Sequence, residues 1–474
     1  MSRTGFIEHA RQPRHKRPVT ERVGDYREIY VSQPIETLTL QAARCMDCAV
    51  PFCHQGCPLG NLVPEWNDLV HRGDWARAIS RLHLTNNFPE FTGTLCPAPC
   101  EPACVLAINS DPVTIKDIEL EIVDRAFEMG LIRPEPPGFR SGRRVAVIGS
   151  GPAGLAAAQQ LNRAGHRVTV YEKSDRPGGL LRYGIPDFKM EKHRLDRRLA
   201  LLEAEGIVFE CNYDVGRDLV VDDLRCRSDA VVCCVGAERG RDVLHLAGRQ
   251  LPGIHLAMEY LVQQNLRVAG ETVHAREAIS ATGRRVVIIG GGDTAADCLG
   301  NAHREGCAAV DVLSVYPAPP RTRTGDNPWP EWPLVLQTYP AHEEGGRRRF
   351  GVMVTGFRGQ GRVEAIETVE CEVRKSAGAR EFSARAGTEG VIPADLVLLA
   401  IGFDGVACRD LIHDLGAGTT GRGTVAVDQD HQAAPGVFAA GDATRGASLI
   451  VWAIAEARRA AAACDRYLAT LPAG

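Results

Sequence analysis

No stretch of this chain approaches the ~18 uninterrupted apolar residues that a membrane-crossing helix needs, and the opening MSRTGFIEHARQPRHKRP has no apolar signal core. Neither a membrane anchor nor export is expected, and the chain reads as cytoplasmic. It also lacks an excess of charge of one sign: a formal net charge of -4 sets up no field that draws in phosphate backbones, so nucleic acid is a poor partner. No internal repeat of solenoid period is visible. At 44% hydrophobic and 24% charged, the composition excludes disorder, collagen and coiled coil. What is left is a soluble globular protein of 474 residues, long enough for roughly two to four domains, each burying its own core.

Cysteine is what the chain has in plenty. There are 16, and without export a disulfide framework is not expected, because the cytosol keeps thiols reduced; clustering then points to metal. Cys45, Cys48, Cys53, Cys57, Cys96, Cys100 and Cys104 fall close together as CMDCAVPFCHQGCP and CPAPCEPAC. The other nine are scattered through expected strands and helices and read as small buried hydrophobes. Zinc is one alternative for the clustered set, but structural zinc sites take four ligands and seven cysteines divide badly into fours. Two 4Fe–4S clusters take eight, and a cysteine followed by proline, as at Cys57, also closes the ferredoxin run, where it serves the other cluster. Iron–sulfur is favoured over zinc.

An eighth ligand can be sought by pattern. Over residues 113–129, Ile115, Ile118, Ile122, Val123 and Ala126 form the apolar stripe of one helix, and Glu119 falls on that stripe. A carboxylate on a buried face must be paired, protonated or metal-bound. An ion pair with arginine and ligation of a cluster are the two readings.

Along the chain, residues 1 to about 32 read as an extended, solvated arm with Arg11, Arg14, Lys16 and Arg17. Helical spacing over 36–44 and 62–84 places the first cysteine group in a loop, and the second follows a turn at 86–91. A stiff linker, Arg133 to Gly138, ends this helical domain.

Next comes RRVAVIGSGPAGLAAAQQLNRAGHRVTVYEK: a strand, then Gly149, Gly151 and Gly154 as G-x-G-x-x-G, a helix, a second strand, and Glu172 at its tip. In that order the glycines admit a pyrophosphate at the helix N-terminus and the carboxylate holds a ribose hydroxyl. A second copy, RRVVIIGGGDTAADC, carries Gly290, Gly292, Asp293, Thr294 and Ala295. Its second strand ends without a carboxylate and runs into a segment with Arg321 and Arg323, a pattern suited to the 2′-phosphate of NADPH; solvated loop arginines are the alternative. The first site suits FAD or NAD. Near the C-terminus, GVFAAGD places Gly441 and Asp442 between a strand and an alanine-rich helix, where an acidic side chain can fix a ribityl chain and the helix N-terminus can face a flavin ring; a simple Gly-Asp corner is the alternative.

This order of parts, with RPGGLLRYGIPDFK (residues 176–189), CMDCAVPFCHQGCPLGN, NPWPEWP and AHEEGG, resembles end to end the small (β) subunits of bacterial NADPH-dependent glutamate synthase, a family that also takes in the N-terminal half of dihydropyrimidine dehydrogenase. The resemblance implies an α/β fold of two Rossmann-like dinucleotide-binding domains of adrenodoxin/glutathione-reductase type, the NADPH domain inserted in the FAD domain, behind a helical iron–sulfur domain. The implied boundaries are 1–132 for two 4Fe–4S clusters, 133–242 with 403–474 for FAD, and 243–402 for NADPH. Gly179 and Leu180 would join the FAD site. Cys45, Cys48 and Cys53 with Glu119 would hold one cluster, and Cys57, Cys96, Cys100 and Cys104 the other; the dihydropyrimidine dehydrogenase branch has glutamine in place of Glu119.

The implied function is electron entry: hydride from NADPH to FAD, then single electrons through the clusters to an FMN-containing large subunit in a hetero-oligomer, where L-glutamate is made from 2-oxoglutarate and L-glutamine. An NADPH:ferredoxin-type oxidoreductase with another acceptor is the alternative. A thioredoxin-reductase-like activity would need a redox C-x-x-C beyond Cys104, and none occurs. A zinc-stapled scaffold with inactive nucleotide folds is the non-enzymatic reading, which the intact Gly149 to Glu172 pattern argues against.

Overall fold

The apolar runs VAVI, AVVC, VVII and LVLL become strands covered on both faces, as expected of parallel sheets between helices. The protein is described by a computed structural model covering residues 4–274, 276–376 and 379–472. Its strands, in chain order, are β1 (Arg144–Ile148), β2 (Arg167–Glu172), β3 (Val208–Cys211), β4 (Ala230–Cys233), β5 (Ile254–Leu256), β6 (Arg285–Ile289), β7 (Ala309–Ser314), β8 (Arg347–Phe350), β9 (Val352–Arg358), β10 (Ala365–Ser376), β11 (Ala379–Ala384), β12 (Gly390–Pro393), β13 (Leu396–Leu399), β14 (Gln432–Ala434) and β15 (Val437–Ala439).

One sheet has the order β14-β15-β4-β1-β2-β3, so it is built from two separate chain segments. Helices Pro152–Arg163 and Ile450–Thr470 cover one face, where Leu155, Leu161, Ile454 and Ala457 share a core with Val145 and Val232. Between those segments lies a second parallel sheet, β5-β13-β6-β7-β8. The antiparallel strands β9 to β12 pack on it through Phe357, Ile366 and Ile392 against Val287, Leu313 and Val397. The two connections between the sheets run side by side, with Gly240 bridged to Phe403.

The N-terminal part is helical: Ile35–Ala43, Val63–His71, Trp75–His83, Pro89–Leu95 and Ile115–Glu128 surround Leu38, Trp66, Leu82, Ile118 and Ile122. The helical spacing over 62–84 is divided at Gly73, which turns at φ +74°; the Asp74 carboxylate then caps the next helix by accepting from the Arg77 N–H at 3.1 Å. Phe88 and Phe91 reach into the core of the first sheet. Beside them Arg198 and Glu90 form a two-pronged ion pair at 2.5 and 2.9 Å, with both side chains essentially out of solvent.

The arm differs from the solvated segment expected. Arg14 and Arg22 are buried. Arg14 pairs with Asp117 of the Ile115–Glu128 helix at 2.9 Å, and Arg22 with Glu344 at 2.8 Å. Short range charge density suggests solvation, but carboxylates from distant parts of the chain meet these guanidiniums in the fold. Among the described residues no helix is long and apolar enough to cross a membrane.

Candidate functional site

A cavity of about 2040 Å³ runs between the two parallel sheets and takes in both glycine-rich turns. That is at least twice the volume of an ordinary small-molecule pocket, enough for more than one nucleotide. At its first end Gly149 turns out of β1 at φ +96°, and a Cβ there would meet the Cys234 carbonyl oxygen at 2.5 Å. Gly151 caps the Pro152–Arg163 helix without a side-chain acceptor, so the first-turn N–H groups are free to meet an anion. Gly154 packs that helix on the turn, where its missing Cβ would lie 1.8 Å from the Gly149 oxygen.

Glu172, at the end of β2, is buried and lines the cavity. It accepts from the Ser150 N–H at 3.1 Å and hydroxyl at 2.5 Å, and from the Ser174 N–H at 2.9 Å. The carboxylate is thereby oriented while keeping lone pairs for a ribose. Gly179 and Leu180 line the same end, as does Asp442. Asp442 accepts from the Ser448 N–H and hydroxyl, each at 3.2 Å, and burial pushes its carboxyl up to about 6. Gly441, before it, packs close to Ala153.

At the second end Gly290 turns out of β6 at φ +137° beside the Ala400 carbonyl. Gly292, Asp293 and Thr294 line the cavity, and Ala295 is buried against the core behind them. The tip of β7 contributes Ser314 and Tyr316, joined by Phe382. Arg321 and Arg323 are not among the lining residues. Arg323 instead donates to the carbonyls of Asn327, Pro328 and Glu331 and so braces its own loop. Arg380, itself outside the lining, lies 5.1 Å above the ring of the lining residue Tyr316.

The cysteines divide into two groups. Cys45, Cys48, Cys53 and Cys104 line one small apolar cavity with Phe52 and Val63. Cys57, Cys96 and Cys100 interact electrostatically with one another and with Glu119. This corrects the partition taken from the resemblance: Cys104 and Glu119 change places. The physical reason is the path of the second loop, which carries Cys104 to the Cys45 cavity while the Ile115–Glu128 helix presents Glu119 to the Cys57 group.

Among the described residues Glu119 has no arginine partner; it accepts from Asn86 Nδ2 at 2.7 Å and Thr92 Oγ1 at 2.5 Å, and burial raises its carboxyl to about 7. Burial likewise raises the thiols, Cys45, Cys53 and Cys96 to about 12 and Cys57 to about 11. Such thiols become thiolates when a cation compensates their charge. No three His, Cys, Asp or Glu side chains among the described residues are drawn together at the spacing of a single-ion site. Four sulfurs around a shared apolar cavity fit a larger inorganic body, and so do three sulfurs with a buried carboxylate.

Pattern reading missed Lys189. Its ammonium lies 2.9 Å from Asp297 in the wall of the cavity, tying the 176–189 segment to the Asp293–Arg304 helix. Burial lifts Asp297 to about 6 against the pull of Lys189. The one available signal was the RPGGLLRYGIPDFK segment that contains it. Cys233 and Cys234 are buried and unpaired, as expected of structural residues.

Comparison with known proteins follows this division. Residues 143–457 match the family described as pyridine nucleotide-disulphide oxidoreductase, and residues 22–131 the family described as dihydropyrimidine dehydrogenase domain II, 4Fe-4S cluster. A solved structure of FprA from Mycobacterium tuberculosis in complex with NADPH shares the fold, with a TM-score of 0.55 and 21% identity over 69% of this chain and 84% of that one. The glutamate synthase (NADPH) small chain of Bacillus subtilis is 45% identical over 98% of both chains. That of M. tuberculosis is 55% identical over 98% of this chain and 95% of its own length. The chain therefore belongs to the family of NADPH-dependent glutamate synthase small chains, oxidoreductases with an N-terminal iron–sulfur domain.

Proposed function

We propose that this chain oxidises NADPH and delivers the electrons, through FAD and two 4Fe–4S clusters, to the FMN of a large glutamate synthase subunit. The turn Gly149 to Gly154 and the N-terminus of the Pro152–Arg163 helix would hold the FAD pyrophosphate, Glu172 the adenosine ribose, and Gly179, Leu180, Gly441 and Asp442 the flavin half. Gly290 to Ala295 would hold NADPH at the other end of the cavity. Arg380, stacked on Tyr316 at the tip of β7, is the side chain assigned to the 2′-phosphate. When bound, these groups supply the conversion of one two-electron hydride into two single-electron transfers.

The observation that carries the reading is at Cys96. Its neighbours Leu95 and Pro97 line the nucleotide cavity, so the Cys57, Cys96, Cys100 and Glu119 group adjoins the flavin end. Leu449 and Ile450, at the start of the C-terminal helix, line the cavity and also pack on the cysteine-rich core. The other group lines a separate small cavity, and there Cys48 and Cys104 are part-exposed. Electrons would thus enter the Cys96 group and leave by the Cys48 and Cys104 side, toward the large subunit of a hetero-oligomer. Free cysteines throughout suit the reducing cytoplasm.

The test is metal and cofactor analysis of protein purified without oxygen, followed by glutamate formation with the large subunit. About eight irons and eight sulfides with one FAD per chain are expected. Zinc without sulfide would overturn the reading, and full cofactor loading with no glutamate formed from 2-oxoglutarate and glutamine would overturn the assigned acceptor.

A further inference from the structure

The segment following β7 leaves the nucleotide-binding domain and comes to rest on the cysteine-rich domain. Its base is closed by the Leu336 N–H donating to the Pro320 carbonyl at 2.8 Å. Inside, buried Asn327 donates to the Trp332 carbonyl at 3.0 Å and accepts from the Leu334 N–H at 2.8 Å, while Arg323 gathers the carbonyls named above. A loop satisfied in this way from within is a compact unit with a defined shape. At its apex is Trp329.

The Trp329 ring lies 4.6 Å from that of Phe52, and its indole N–H donates to the Cys104 carbonyl at 3.2 Å. Phe52 and Cys104 both line the cavity of Cys45, Cys48 and Cys53. The loop that shapes itself around Asn327 and Arg323 therefore spends its apex on the wall of the outer cysteine group, in a different domain.

We propose that Trp329 is a positioning residue for the outer cluster: its ring closes the Phe52 side of the cavity against water, and its N–H fixes the backbone of the ligand Cys104. The lid of an iron–sulfur site is thus carried by the nucleotide-binding domain. Exclusion of solvent and hydrogen bonding around the ligands are the means by which a protein tunes such a site. The inference rests on the iron–sulfur reading above.

The experiment compares full-length parent, Trp329→Ala and Trp329→Phe, all purified without oxygen. Iron and sulfide content of the parent tests the iron–sulfur reading by itself. Flavin content and the rate of flavin reduction by NADPH should be unchanged in the variants, since Trp329 does not line the nucleotide cavity. In Trp329→Ala one of the two reduced-cluster EPR signals should change shape while the other is retained, and part of the cluster absorbance should bleach in air several-fold faster than in the parent. Trp329→Phe, which keeps a ring and loses the N–H, should alter the same EPR signal with a smaller effect on bleaching. A Trp329→Ala protein with both signals and the bleaching rate of the parent overturns the proposal. If that variant does not accumulate as a flavoprotein, parent-like signals and bleaching in Trp329→Phe overturn it.

Discussion

Glu119 is the residue on which the two expectations for a buried carboxylate separate. Among the described residues its partners are Asn86 and Thr92 rather than an arginine. Glu119→Ala removes the acceptor of two buried donors, at a cost of about 1–3 kcal/mol for each one left unsatisfied. It should also strip iron from the Cys57 group and spare the other, so that iron falls toward about half of the parent's value. Iron analysis with EPR checks this; full iron content and two unaltered signals would refute the ligand role. Asp442 supports a second prediction. In the flavin-free protein its carboxyl stands at about 6, raised by burial. The folded state then binds the proton more tightly than the unfolded chain does, so this group's stabilisation is complete below its ordinary value near ~4 and is lost as pH rises through 6. Asp442→Asn has no charge to bury, so its stability relative to the parent should grow over that interval and level off above it. Denaturation of the flavin-stripped proteins over about pH 4.5–8 measures the difference, and a constant difference would show that the Asp442 carboxyl is not raised by its surroundings.

At the scale of elements, the 317–336 segment and the β10–β11 hairpin supply arginines in different settings. The segment holds the arginines that follow the second nucleotide strand, yet Arg323 is committed to its own carbonyls, whereas Arg380 arrives from the hairpin to stack on Tyr316. Arg380→Ala should therefore lower the preference for NADPH over NADH by about tenfold or more, the loss of one charge-assisted contact of about 1.5–3 kcal/mol. Arg323→Ala should leave that preference in place while loosening the loop. Steady-state kinetics with both cofactors decide between them, and a preference lost only in Arg323→Ala would reverse the assignment. The contrast shows what local pattern can carry. Both glycine turns were legible because each strand–turn–helix unit is contiguous and its chemistry is set by spacing. The count of cysteines and the buried position of Glu119 were legible for the same reason. The pairing of Cys104 with the Cys45 group was not, because it depends on how two loops cross in space, and the stacking of Arg380 on Tyr316 was not, because it comes from an antiparallel hairpin with no motif of its own.

For the molecule as a whole, buried and part-buried ion pairs join distant parts of the chain across its three domains. Glu28 of the arm and Asp124 of the helical domain meet at Arg194 of the first sheet's domain. Arg22 and Glu344, 322 residues apart, meet with Arg304 in a cluster whose three side chains are at most 1% exposed. A composition rule reads such an arm as solvated because it registers the arginines and not their partners. Removing a single partner from this cluster has unequal consequences. Arg22→Ala leaves Glu344 paired with Arg304, whereas Glu344→Ala leaves two buried guanidiniums with carbonyls as their remaining acceptors apart from Glu343. Loss of the shared carboxylate should cost about 3–5 kcal/mol, and Arg22→Ala less. Because the carboxylate ties the arm to the nucleotide-binding domain, Glu344→Ala should also expose residues 11–32 to proteolysis before the remaining domains unfold. Denaturant titration together with limited proteolysis tests both points. Equal stability in the two variants, or an arm as resistant as the parent's in Glu344→Ala, would mean that the arm is held chiefly by its contacts with the helical domain.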